Sequence, residues 1–196
     1  MDSGPATVVR RVVLLAGPSG SGKSRLAAAA GCPRLNLDDF YFDADHPDLP
    51  RTLGIVDWDS PASWDAAGAV AAIQELGATG RAAVPVYDIA ASRRTGTQIL
   101  DLGAARTFVA EGLFAADLVP VCRAAGLEMD ALYLDRPRLQ NLVFRFLRDV
   151  REHRKPVWVL IRRGLALWRA EPRIRTHAVS RGCRPVSLRQ AVATLR

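Results

Sequence analysis

The chain has 196 residues, of which 49% are hydrophobic and 24% charged, so it is long enough for one domain with its own core and too apolar to be disordered throughout. No stretch approaches the roughly 18 consecutive apolar residues of a membrane span, and the polar start argues against a signal peptide. The three cysteines are scattered and form no Cys-x-x-Cys pair. This pattern argues against a disulfide framework or a zinc site and favours a cytoplasmic protein.

The charge is unevenly distributed along the chain. Residues 1–135 contain 11 basic and 17 acidic residues, whereas residues 136–196 contain 16 basic and 3 acidic residues. A basic C-terminal third can bind nucleic acid, surround a polyphosphate or form a solvated helix face. Aromatic residues do not alternate with the arginines as they do in single-strand-binding surfaces, so the sequence does not favour a nucleic-acid partner.

Apolar runs alternate with helical patterns along the chain. A run at 8–16 is typical of a buried parallel strand, and a glycine-serine loop separates it from a predicted helix at 23–30. The remaining predicted elements are a strand at 35–37, loop at 43–61, a helix at 63–76, an extended segment at 82–87, a polar turn at 92–97, a strand at 107–110, a helix at 113–125 interrupted near Pro120, a strand at 131–134, helices at 138–153 and 156–170, a strand at 178–179 and a terminal helix capped by Ser187. This alternation predicts an α/β fold with a mostly parallel sheet.

The strongest motif follows the first strand and reads Gly17-Pro18-Ser19-Gly20-Ser21-Gly22-Lys23-Ser24. It matches the phosphate loop G-x-x-x-x-G-K-[ST] in full and lies between a strand and a helix, as that loop requires. Glycines let backbone amides turn toward phosphate oxygens, Lys23 supplies a positive charge, and the Ser24 hydroxyl can hold Mg²⁺. The chain is therefore expected to bind a nucleoside triphosphate, with the choice between ATP and GTP left open.

Acidic residues follow the second strand, in the segment Asp38-Asp39-Phe40-Tyr41. The carboxyl ends of parallel strands face the binding crevice of an open α/β sheet. Asp38 is therefore placed to accept a proton from a hydroxyl group or to hold magnesium. For Asp39, capping of a turn is an equally good interpretation.

Several further motifs occur in a fixed order and resemble the uridine kinase group, within the wider family of phosphoribulokinases and pantothenate kinases. They are the phosphate loop, Asp38 to Tyr41, Asp57 to Asp65, Pro85 to Asp88, Val109 to Leu113, Leu134-Asp135, Arg145 to Asp149 and Val179 to Gly182. The resemblance implies a three-layer αβα fold of the P-loop NTPase type with a five-stranded sheet. It also implies one domain over 1–196, a helical lid at 138–156 and a basic helical segment at 156–175.

The resemblance assigns roles to individual residues. Asp38 would be the catalytic base, assisted by Lys23 and Arg148, and Ser24, Asp38 and Glu111 would form the magnesium environment. The phosphate loop would bind ATP with the help of Arg25, Arg145, Arg148 and Arg181. The acceptor would contact Asp38, Tyr41, Trp58, Asp59, Tyr87 and Arg93, although Trp58 and Tyr87 are equally interpretable as core aromatics.

One departure from the family concerns the acceptor. Ile89 stands at the position of an aromatic residue, and Ser92 stands at that of a histidine that reads the base. We expect an ATP- and Mg²⁺-dependent kinase for the 5′-hydroxyl of a nucleoside such as uridine or cytidine. The alternatives are a related kinase for pantothenate, nicotinamide riboside or a sugar, and a nucleotide-binding regulatory protein with a basic surface. Assembly into a homo-oligomer is left open.

Overall fold

The computed structural model describes residues 10–52, 54–151 and 157–195, with the side chains of 145, 148–151 and 157–167 outside the described set. The strands are β1 Arg11–Ala16, β2 Arg34–Asn36, β3 Arg51–Thr52, β4 Ile55–Val56, β5 Arg81–Asp88, β6 Arg93–Asp101, β7 Thr107–Glu111, β8 Met129–Leu134 and β9 Arg184–Val186. The helices are α1 Lys23–Ala29, α2 Ala66–Thr79, α3 Leu118–Ala124, α4 Arg138–Arg151, α5 Val157–Ser180 and α6 Leu188–Leu195, with 3₁₀ turns at Leu37–Phe40 and Pro61–Ser63.

The central sheet has five strands in the order β2-β7-β1-β8-β9, and each neighbouring pair is parallel. Alternate residues of β1 point to opposite faces, so that Leu14 and Leu15 belong to different buried clusters. Leu14 packs in the cluster that contains residues of α2, α3 and α5, whereas Leu15 packs with residues of α1 and α6. Helices therefore cover both faces, and the predicted three-layer α/β fold is confirmed.

The end of the chain differs from the prediction in its last strand. The predicted strand at 178–179 is wrong, because these residues form the last turn of α5, and Ala178 is buried in the core. The fifth strand is β9, which pairs with β8 from Leu132↔Arg184 to Leu134↔Val186. The predicted cap at Ser187 is confirmed, since its Oγ accepts from the amide of Gln190 at 3.4 Å and the Gln190 side chain accepts from the Ser187 amide at 2.8 Å.

The predicted polar turn at 92–97 is also wrong over most of its length, since only Ser92 lies in a turn and residues 93–97 belong to β6. Strands β5 and β6 form an antiparallel hairpin from Arg81↔Asp101 to Asp88↔Arg93. Most residues of β6 are exposed, so the strand lacks the alternation of apolar and polar residues by which a half-buried strand is predicted.

Helix α3 is shorter than predicted, because residues 113–117 form turns instead of its first part. Pro120 does not interrupt the helix. It lies in the first turn of α3, where the missing amide would have no acceptor within the helix.

Helices α4 and α5 pack against each other. The guanidinium of Arg138 lies 4.2 Å from the centre of the Trp168 ring and donates to the Trp168 carbonyl. The buried Asn141 donates to the buried Glu171 at 3.2 Å. None of the described helices is both long and apolar enough to cross a membrane.

The side chain of Arg94 attaches the β5–β6 hairpin to the 3₁₀ turn Leu37–Phe40 and to the residue that follows it. The Arg94 guanidinium donates to the carbonyls of Tyr41 at 3.1 Å and Phe40 at 3.2 Å, and to the Asp65 carboxylate at 3.2 Å. Asp65 also caps α2 by accepting from the Gly68 amide at 2.8 Å. Arg94 therefore joins the hairpin, the turn and the start of α2.

We expect Arg94→Ala to lower the free energy of unfolding by about 1–2 kcal/mol, because three hydrogen bonds of a partly exposed guanidinium are lost. Chemical denaturation measures the change. The control is Arg93→Ala, at the exposed neighbouring position, for which a change within about 0.5 kcal/mol is expected. Equal losses in the two variants would contradict this role of Arg94.

Candidate active site

The phosphate loop lies between the carboxyl end of β1 and the start of α1. Gly20 and Gly22 have φ values of 83° and 91°, a region in which residues with a side chain are strained. Gly22 is the N-cap of α1 and provides no side-chain acceptor for the amides of the first turn. The loop therefore leaves backbone donors directed at the space where phosphate oxygens would bind.

Lys23 bends back over the loop that precedes it. Its ammonium group donates to the carbonyl of Gly17 at 2.8 Å and to that of Pro18 at 3.3 Å. Ser21 is fully buried, and its hydroxyl oxygen makes no hydrogen bond. A lysine held at the loop and a buried polar atom within it both suit a loop built around an anion.

Ser24 and Glu111, which sequence analysis placed in the magnesium environment, are in direct contact. The Ser24 hydroxyl donates to Glu111 Oε1 at 2.6 Å, although the two residues lie 87 positions apart. Glu111 ends β7 and is buried, with 4% of its surface exposed. The same oxygen accepts from the Arg34 guanidinium at 2.8 Å, a partner that sequence analysis missed.

Asp38 lies in the 3₁₀ turn directly after β2, beside the end of β7. Its Oδ1 accepts from the Leu113 amide at 3.1 Å. Gly112 makes this approach feasible, because a Cβ there would lie 2.7 Å from Leu37 Cβ and 2.9 Å from Asp38 Oδ1. The Glu-Gly pair at the end of β7 thus has two functions: the first residue provides a carboxylate, and the second leaves room for another.

The pKa of the Asp38 carboxyl is raised, and its principal cause is burial. The Leu113 amide and the charges of Lys23 and Arg34 oppose the rise, whereas the charge of Glu111 adds to it. Asp38 is therefore a carboxylate whose proton affinity is above the ordinary range for this side chain, as a general base requires.

Aromatic side chains form a cluster next to Asp38, with Tyr41 at its centre. The ring centre of Tyr41 lies 5.7 Å from that of Trp58, 5.9 Å from that of Tyr87 and 6.0 Å from that of Phe114. The hydroxyl of Tyr41 donates to the Trp58 carbonyl at 3.2 Å. Burial and the charges of Asp38 and Asp59 raise the pKa of Tyr41, so both carboxylates lie near this cluster.

The other predicted acceptor residues differ in position. Arg93 is exposed at the start of β6, and it is Arg94 that contacts the segment after Asp38. Asp39 accepts from the side chain of Asn36 and from the backbone of Tyr87, while burial raises its pKa. Asp39 therefore joins the turn to the hairpin.

The predicted nucleotide-side arginines are not brought together by the described contacts. Arg25 is exposed on α1, and the side chains of Arg145 and Arg148 lie outside the described residues. Arg181 precedes β9 and pairs with Asp117 at 3.5 Å. Because β9 runs in the same direction as β1, Arg181 lies at the amino ends of the strands, whereas the phosphate loop lies at their carboxyl ends. The residue that follows β9 at the carboxyl end is Ser187.

A different arginine contacts the phosphate loop. Arg136, two residues beyond β8, donates to the Ser21 carbonyl at 3.0 Å and lies 5.2 Å from the ring centre of Phe144 in α4. Its Nη1 would be 3.2 Å from a Cβ added to Gly22. Sequence analysis singled out the preceding Leu134-Asp135 element but not Arg136; its place directly after a central strand was the available signal.

The site fits a nucleotide accompanied by magnesium. No group of three or more His, Cys, Asp or Glu side chains among the described residues could hold a metal unaided. Mg²⁺ commonly takes one or two carboxylates and completes its coordination with phosphate oxygens and water. Ser24, Asp38 and Glu111, at or next to the phosphate loop, carry oxygen atoms of the kind that would serve as ligands in such an arrangement.

Comparisons with known proteins found similar solved structures. A protein from Silicibacter sp. TM1040, described as a candidate fructose transport system kinase, is 22% identical with a TM-score of 0.60, over 86% of this chain and 87% of that one. A candidate uridine kinase from Bacillus stearothermophilus is 17% identical with a TM-score of 0.48, over the same shares. No family model matches the chain, and no curated protein matches it. The first of these likenesses supports the predicted α/β fold.

Gly112→Ala tests the close approach of Asp38 to β7. We expect a loss of about 1–3 kcal/mol in the free energy of unfolding, because the added methyl group forces backbone or side chains apart in a packed region. Chemical denaturation measures it. Gly96→Ala is the matched control, since a Cβ there meets nothing within 4 Å, and a loss as large in the control would contradict the prediction.

Asp38→Asn tests the cost of burying the carboxylate. The pKa of Asp38 is higher in the folded than in the unfolded protein, so its ionisation favours the unfolded state. This destabilisation begins as the pH rises above the unfolded pKa and is complete above the folded pKa. We therefore expect Asp38→Asn to be more stable than wild type at pH 7.5, and the gain to shrink as pH falls toward 5. Denaturation without nucleotide or metal measures both values.

Asp45→Asn, which neutralises an exposed carboxylate, is the control for that comparison. Its effect should be nearly the same at the two pH values. A gain for Asp38→Asn that does not depend on pH would show that burial of charge is not its cause.

Proposed function

We propose that this protein is an ATP- and Mg²⁺-dependent kinase that phosphorylates a hydroxyl group of a nucleoside-like small molecule without negative charge. The observation that carries the proposal is the position of Asp38. On the nucleotide side, the charges of Lys23 and Glu111 act on the pKa of this partly buried carboxyl group. On the other side, the charge of Asp38 raises the pKa of Tyr41. A base between a phosphate loop and an aromatic pocket is the arrangement that phosphoryl transfer to a bound hydroxyl requires.

The chain's own groups supply the steps of the transfer. Asp38 accepts the proton of the acceptor hydroxyl as that oxygen bonds to the γ-phosphorus and the bond to the ADP oxygen breaks. Lys23 and the amides of the phosphate loop stabilise the negative charge on the phosphoryl oxygens. Bound Mg²⁺, held by Ser24, Glu111 and Asp38, would neutralise charge on the β- and γ-phosphates.

Charge near the aromatic cluster narrows the class of acceptor. The carboxylates of Asp38 and Asp59 both act on the hydroxyl of Tyr41. Two negative charges beside the acceptor space repel an anion and accept hydrogen bonds from hydroxyl groups. They support a nucleoside or a sugar, and they disfavour an acceptor with a carboxylate such as pantothenate.

The test is ADP release from ATP and Mg²⁺ over a panel of uridine, cytidine, other nucleosides, nicotinamide riboside, fructose and pantothenate. Fructose is included because of the structural neighbour's description. We expect turnover with a neutral or cationic acceptor, and a loss of about 10²–10⁴-fold in kcat for Asp38→Asn with little change in the Kd of ATP.

Asp39→Asn is the matched control, because Asp39 is the adjacent carboxylate and joins the turn to the hairpin. It should retain most of the turnover. Equal activity in wild type and Asp38→Asn would refute Asp38 as the base. Tight ATP binding without turnover on any acceptor would favour a regulatory nucleotide-binding protein instead.

A further inference from the structure

We propose that Arg34 is a built-in counter-cation that competes with a divalent metal ion for Glu111 and so suppresses metal binding to the nucleotide-free protein. The inference rests on the proposed magnesium-dependent function and adds a residue that controls when the metal enters. Arg34 belongs neither to the phosphate loop nor to the aromatic cluster around Tyr41, and the transfer steps described above do not use it.

The contact is made on the oxygen that a metal would need. Arg34 Nη1 lies 2.8 Å from Glu111 Oε1, and the Ser24 hydroxyl donates to the same oxygen at 2.6 Å. The Glu111 side chain is 5% exposed, whereas that of Arg34 is 40% exposed. The carboxylate is thus fixed within the protein, and the guanidinium reaches it from the solvent side.

The short strand β2 fixes this geometry. Its residues pair with β7 in parallel register, with Arg34 opposite Val109 and Asn36 opposite Glu111. The Cα of Arg34 therefore lies two residues before the level of Glu111 along the strand direction, and only a long side chain spans that distance. The positive charge of Arg34 also lowers the pKa values of Asp38 and Asp39. One guanidinium therefore stabilises the ionised form of both neighbouring carboxyl groups.

The physical consequence is competition between two cations. A buried carboxylate requires a partner, and in this protein an arginine provides it before any metal is present. A divalent ion that approaches Glu111 must displace the guanidinium or share the oxygen with it. Either change costs free energy, and the protein alone offers too few further oxygen ligands to compensate for it. Phosphate oxygens supply the missing ligands, so the metal should enter together with the nucleotide.

The experiment measures Mn²⁺ binding by electron paramagnetic resonance, without nucleotide, in wild type, Arg34→Gln and Arg34→Lys. A neighbouring charge changes the proton affinity of a carboxylate by about tenfold or more, and we expect a similar gain in Mn²⁺ affinity for Arg34→Gln. Arg34→Lys keeps the charge and should bind Mn²⁺ as weakly as wild type. Unchanged or weaker binding in Arg34→Gln would overturn the proposal.

The double variant Arg34→Gln/Glu111→Gln shows where the metal binds. It should lose the gain, and a gain that survives would overturn the proposal because the metal would then bind elsewhere. Circular dichroism checks the fold of each variant, and Arg34→Met, which keeps an aliphatic stem, replaces Arg34→Gln if the latter does not fold.

The readout separates this proposal from the proposed function. Mn²⁺ binding involves neither acceptor nor turnover, so a panel without activity leaves the outcome for Arg34 intact. Conversely, a kinase with the expected activity but no change in Mn²⁺ affinity in Arg34→Gln would refute the role of Arg34 alone.

Discussion

A buried carboxylate at the end of a central strand is the constraint on which the site depends. Glu111 has almost no exposed surface, and an unpartnered charge in that position would cost several kcal/mol. Its partners come from two separate elements, Ser24 of α1 and Arg34 of β2. The requirement to satisfy one carboxylate therefore holds the phosphate-loop helix and the neighbouring strand in fixed relation, and the site is assembled by the same contacts that stabilise its sheet edge.

The absence of a side chain at the next position is the second part of that constraint. Because Gly112 leaves room, Asp38 can lie against the end of β7 and accept from the Leu113 amide. From there the arrangement extends outward through Tyr41 to the aromatic cluster, and through Arg94 to the hairpin. Backbone groups take part in most of these contacts, namely the Leu113 amide and the carbonyls of Trp58, Tyr41 and Phe40, and Arg94 adds an ion pair with Asp65.

The sequence predicted the parts of the fold that short-range patterns determine. The apolar run of β1, the glycines of the phosphate loop and the Ser187 cap were all found, because each depends on neighbours in the chain. The hairpin strand β6 and the strand β9 were missed, since a mostly exposed strand and a three-residue strand lack periodicity. Arg34 and Arg136 were missed because their contacts lie 77 and 115 residues away.

The uneven charge of the sequence has a counterpart at the site. The carboxylates beside the aromatic cluster, Asp38 and Asp59, belong to the acidic first part of the chain, and Arg136, at the phosphate loop, belongs to the basic last part. In the proposed reaction, Arg136 would add to the positive charge of Lys23 beside the polyphosphate, and the carboxylates would place negative charge where a hydroxyl loses its proton. Asp38 lies between the two, so that burial and the charge of Glu111 raise the pKa of its carboxyl group, while the charges of Lys23 and Arg34 lower it.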